Sequence, residues 1–130
     1  MSATTIRTAV GTIVTGLGYR VAPGPDFEDL ADTDGGIGVA VALESGPGDE
    51  VDGVREYDLT LRAMVLRGPD DVGARSDAET MAQALRAGIL ARAALAAGSA
   101  QVVEATSWRI QPVDDVMQIE QTYRLLAVSG

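Results

Sequence analysis

Several short segments of this 130-residue chain place residue types together in ways that chemistry could use. Asp32-Thr33-Asp34-Gly35 sets acidic oxygens around a glycine, as a calcium-binding loop does. Such a loop closes with a bidentate glutamate at its twelfth position. Counted from Asp32 that position is Leu43, so the segment reads as a solvated acidic loop. Gly16-Leu17-Gly18 and Gly35-Gly36-Ile37-Gly38 have the look of phosphate cradles. A dinucleotide cradle needs its glycines between a strand and a helix, and a P-loop needs a lysine. Here Gly18 follows a helical stretch and Gly38 lies in an extended one, so turn and packing roles are expected. Asp70-Asp71 and Asp114-Asp115 are paired carboxylates, the groups that glycoside hydrolysis uses from opposite sides of a bond. Both pairs fall in predicted turns, where aspartate serves the backbone. No catalytic, cofactor-binding or metal-ligating residue is assigned.

Composition narrows the chemistry further. The chain has no histidine, no cysteine and no lysine; its ten basic residues are all arginine. The commonest general base, thiolate chemistry and zinc–sulfur sites are thereby removed, and an enzyme is not expected. A formal charge of −9 repels duplex phosphates. It suits a soluble protein, or a surface past which nucleic acid slides without sticking. No stretch approaches the run of about 20 apolar residues that a membrane span needs. The reading is a soluble intracellular protein forming a single domain over residues 1–130.

The elements that would position any surface are clearer than any site. Tyr57, Leu59, Leu61, Ala63 and Val65 alternate with Asp58, Thr60 and Arg62. Met117, Ile119, Gln121, Tyr123, Leu125 and Ala127 alternate with Gln118, Glu120, Thr122 and Arg124. Period two marks half-buried strands, expected over about 54–67 and 116–128. Further strands are expected over 37–44, with a nearly bare even face, and over 102–111, with a short extended piece at 19–22. Ile6, Val10, Ile13, Val14 and Leu17 form a helical stripe, giving a helix over about 4–17 that Gly18 stops. Ser76-Asp77-Ala78-Glu79 reads as a capping box opening a helix over about 77–96, with Met81, Leu85, Gly88, Ile89 and Leu95 toward the core and Gly98 as its stop. The expected fold is α+β: a mainly antiparallel sheet of about four long strands with two helices packed on one face.

That leaves the even face without an assigned role, and Arg62, Trp108, Arg109 and Arg124 as candidate subunit-interface residues. Trp108, the lone tryptophan, falls on the even side of its strand beside Glu104 and Thr106; it reads as a core anchor or an interface anchor. The arginines could meet acids of a neighbouring subunit or lie solvated on the strand. The acidic loops at 23–36 and 46–53, with Asp26, Asp29, Asp32, Asp49, Glu50 and Asp52, are candidates for ordering on assembly.

The order of elements resembles bacteriophage tail terminator proteins, including those of phage-like gene transfer agents. The resemblance covers nearly the whole chain. It runs through the helix Ile6–Leu17 with Gly18-Tyr19-Arg20-Val21, the acidic proline–glycine loop and the hairpin around Arg55-Glu56-Tyr57-Asp58-Leu59-Thr60-Leu61. The Ser76–Ala97 helix follows, then the strands from Thr106-Ser107-Trp108 to Gln121-Thr122-Tyr123-Arg124. It implies a structural virion protein without cofactor, assembled in the bacterial host cytoplasm. A ring of about six sister subunits caps the tail tube, ends its polymerisation and offers a surface for head joining. Its partners are the tail tube protein and a head–tail connector protein, and DNA passes through the lumen unbound. Two other readings stand beside it. One is a different neck or connector subunit; the other is a small-molecule-binding α+β regulatory module.

Overall fold

The structure, a computed structural model, describes residues 3–22, 24, 38–45, 53–66, 71–91, 94–95, 100–113 and 116–128. Helix α1 (Ala3–Gly16) is followed by strands β1 (Arg20–Val21), β2 (Gly38–Ser45) and β3 (Val54–Leu66), then helix α2 (Asp71–Ala91) and strands β4 (Ala94–Leu95), β5 (Ala100–Val113) and β6 (Val116–Val128). The strands make one six-stranded sheet in the order β1-β2-β3-β6-β5-β4. Every pairing is antiparallel except that of β1 with β2. The fold is therefore α+β with four long strands, as the alternation predicts, plus two short strands at the edges.

Register explains why the period-two pattern is so clear. Leu43, Leu59 and Tyr123 align in one row across β2, β3 and β6; Val41, Leu61 and Gln121 align in the next. Val39, Ala63 and Ile119 form a third. All of these point to one face, because directly opposed residues of antiparallel strands share a side. Both helices pack there. Ile6, Val10, Ile13 and Val14 of α1 join Ala78, Met81, Ala82, Leu85 and Ile89 of α2 in the same buried cluster as the sheet's inner rows. Leu59, Leu61, Leu85 and Leu125 are completely enclosed. Cutting any of them to alanine costs about 2–5 kcal/mol, the sum of lost transfer energy and the cavity left behind.

Helix α1 ends as the glycine predicts. Gly18 has φ +93°. Its amide donates to the Thr15 carbonyl at 3.0 Å, and the Tyr19 amide donates to the Val14 carbonyl at 3.3 Å. This is a Schellman cap, with Tyr19 folded back onto the core. Leu17, last of the predicted stripe, stays partly exposed and lies over α2 at Gly88; a methyl group on Gly88 would sit 2.9 Å from Leu17 Cδ1.

Helix α2 departs from the sequence reading at both ends. It begins at Asp71 rather than near residue 77, so Ser76-Asp77-Ala78-Glu79 lies inside the helix and caps nothing. Ser76 instead gives its carbonyl to the Thr80 hydroxyl at 3.0 Å. In sequence, Pro69-Asp70-Asp71 suits a turn and equally well the start of a helix. The helix ends at Ala91 despite the alanines that follow, because Ala94–Leu95 are drawn into the sheet against Ala100–Gln101. Leu95 is thus a strand residue, not a core-facing helical one. Tertiary pairing overrides alanine's intrinsic helix preference here. No described helix is long and apolar enough to cross a membrane.

Candidate functional site

The even positions of β3 and β6 line the face opposite the helices. There the arginines find partners within the chain. Arg62 and Glu120 are directly opposed, and Arg62 Nε donates to Glu120 Oε2 at 3.0 Å. Arg109 of β5 opposes Glu120 from the other side, with Nη2 3.1 Å from Oε1. One carboxylate thus ties three strands together. The next row is neutral: the Thr60 and Thr122 hydroxyls lie 3.3 Å apart. Below it Arg124 reaches Glu104 at 3.2 Å and Glu56 at 3.8 Å. The result is a cross-strand lattice of charge that orders the outer face. Each pair is partly open to water and contributes at most about 1 kcal/mol to stability.

Trp108 does not belong to this face. On β5, Glu104 opposes Arg124 and points outward, whereas Trp108 opposes Gln121 and points to the helix side. Both have even numbers. The parity breaks at Thr106, which has no register partner on β6; Val103, nearer the start of the strand, is a second such residue. Each is an extra residue that advances the count by one without turning the strand over. Trp108 is consequently neither with Arg62 and Arg124 nor in the core: it stands at the rim of the helix layer, 38% exposed. The guanidinium of Arg86, from α2, lies over its ring at 5.5 Å from the centroid. Such a stack is worth about 0.5–1 kcal/mol at an exposed site.

The bare even face of β2 is also not open. Ala40 and Ala42 are buried, and Ala40 packs with Ala22 and partly buried Met64 in a small second cluster. The candidate assembly residues Asp26, Asp29, Asp32, Asp49, Glu50 and Asp52 lie outside the described residues, as do the calcium-like segment and Asp114-Asp115. Among the described residues no three His, Cys, Asp or Glu side chains gather in a way that could hold a metal ion.

One arrangement escaped the sequence reading. Gln121 sits in the inner row of β6, 1% exposed. Its Nε2 donates to the Ala82 carbonyl on α2 at 2.7 Å, and its Oε1 accepts from the Tyr123 hydroxyl at 2.6 Å. Burial pushes the Tyr123 hydroxyl up to about 12, with Arg86 pulling slightly the other way. A polar residue interrupting an otherwise apolar inward row was the available signal. The chain pins α2 to the central strand by directional bonds, and so fixes where Arg86 stands over Trp108. No protein-family model matches the chain, and no curated protein is significantly similar to it.

Proposed function

We propose that the chain is a structural subunit of the tail-terminator kind. In this role it forms a ring that caps a tail tube, stops its growth and receives the head. The observation that supports this reading is the division of the sheet: both helices cover one face, and the opposite face of β3, β6 and β5 carries an ordered polar lattice. Side chains already held by cross-strand pairs lose little further freedom when a neighbour docks. That is the economy a subunit needs if it must join identical copies without a deep pocket. A ring requires one patch to meet a different patch on the next copy. The acidic balance of −9 fits a lumen through which DNA passes without sticking.

The test is assembly. Sedimentation of the purified chain with tail tubes from the same genome should give a capped tube, with a ring visible at its end by electron microscopy. Removal of the gene should give overlong or headless tails. A chain that stays off tubes at every concentration, together with normal particles on deletion, would sink the reading.

A further inference from the structure

The two margins of the sheet are treated differently. Beyond the two residues paired to β1, strand β2 is enclosed: Ala40, Val41, Ala42 and Leu43 are all buried. Strand β5 is not. Only Ala100 and Gln101 pair with β4, and Thr106, Ser107, Trp108 and Arg109 are exposed in succession. Among the described residues no strand pairs with β5 beyond Gln101 on the side away from β6, and these four residues are solvent-accessible on both faces. An open edge presents unpaired amides and carbonyls to any extended chain. Here the opening is bounded. The unpaired Thr106 breaks the regular ladder on one side, and Pro112, which has no amide to offer, ends it on the other. The regular window is Ser107–Gln111, roughly 17 Å at about 3.4 Å per residue.

The window carries a specific chemistry. On its helix side the Arg86 guanidinium stacks on Trp108 and makes no ion pair among the described residues. On its outer side Arg109 is 57% exposed and shares Glu120 with Arg62. A strand laid along this edge would alternate its side chains between Arg86 and Arg109, so acids on either face find a cation. We infer that the β5 edge receives an extended acidic segment from a second copy of this chain, hydrogen-bonded to Ser107–Gln111 and held at its two faces by Arg86 and Arg109. The chain supplies suitable sequence: Asp26, Glu28, Asp29, Asp32 and Asp34 fall within nine residues, with Phe27 among them to meet Trp108. The partner being a second copy rests on the assembly reading above; the edge and its cations do not.

Trp108, the one tryptophan, reports directly on its own surroundings. The probe is a blocked synthetic peptide of residues 25–34, titrated into the intact chain at low salt. Saturable change in Trp108 fluorescence is expected. Replacing the peptide's acids by their amides, methylating alternate backbone nitrogens, or substituting Arg86→Gln should each weaken binding about tenfold or more. The idea is overturned by an absent or non-saturating signal, by an amide peptide that binds equally well, or by an oligothymidylate of about ten nucleotides binding more tightly than the peptide. Because the peptide arm needs no ring, its failure leaves tube capping to be judged separately, and success here survives a chain that never caps tubes.

Discussion

The Tyr123 hydroxyl donates to Gln121 Oε1 at 2.6 Å, between neighbours on the same face of one strand, while the amide of that glutamine reaches across to the Ala82 carbonyl of α2. The three groups satisfy one another where water does not reach. Gln121→Leu should therefore cost about 2–3 kcal/mol, since it strands the tyrosine hydroxyl in the core. Tyr123→Phe should cost about 1–2 kcal/mol by leaving the glutamine oxygen unpaired. The double substitution should be less destabilising than the sum. Urea unfolding of the four proteins measures the coupling, and strict additivity would contradict the network.

The same burial sets an alkaline limit. With its folded value near 12 against an ordinary 10, Tyr123 holds its proton in the folded chain where the unfolded chain has begun to lose it. Its contribution is complete below pH 10 and is lost as pH rises toward 12. The slope approaches about 1.4 kcal/mol per pH unit. Unfolding midpoints across that window should fall more steeply for the native chain than for Tyr123→Phe. Parallel curves would refute the assignment.

Two glycines at the end of α1 should respond with opposite signs. Gly16 is helical and has open space where a methyl would go, so Gly16→Ala should stabilise by about 0.5–1 kcal/mol. Gly18 holds φ +93°, and Gly18→Ala should destabilise by about 1 kcal/mol. Thermal melts of both variants decide it; equal signs would mean that the cap geometry is wrong.

Glu120 serves two arginines, so its loss should exceed the loss of either. Glu120→Gln is expected to cost about 1 kcal/mol at low ionic strength, and Arg109→Ala less because its side chain is largely solvated. Both effects should shrink toward zero in about 1 M salt. A salt-independent cost for Glu120→Gln would point to packing rather than charge.

How much of this was legible depends on what each residue's neighbours demand. Strands β3 and β6 are regular and central, so their alternation survives intact from Leu59 to Leu61 and from Ile119 to Tyr123. Strand β5 carries two residues without partners, and the same parity rule misplaces Trp108 by a face. The capping signature at Ser76 is genuine local chemistry that a helix starting earlier simply runs through. Leu95 was lost because alanine-rich sequence says helix while the neighbouring strand says otherwise. The arginines at 62, 109 and 124 were correctly expected on strands, but no single-sequence rule shows which acid lies across the ladder. Gln121 was visible as an oddity in its row, and only the position of α2 reveals what it holds.

Val103 and Thr106 have a consequence for the margin of the sheet. Deleting both would leave every side chain of β5 on its present face, since each is surplus to the pairing with β6. The strand would then run flat and unbroken from Ala100 to Gln111. Such a margin would offer an extended neighbour a longer regular ladder than Ser107–Gln111 does. The two surplus residues thus shorten the regular edge that β5 can offer to another chain.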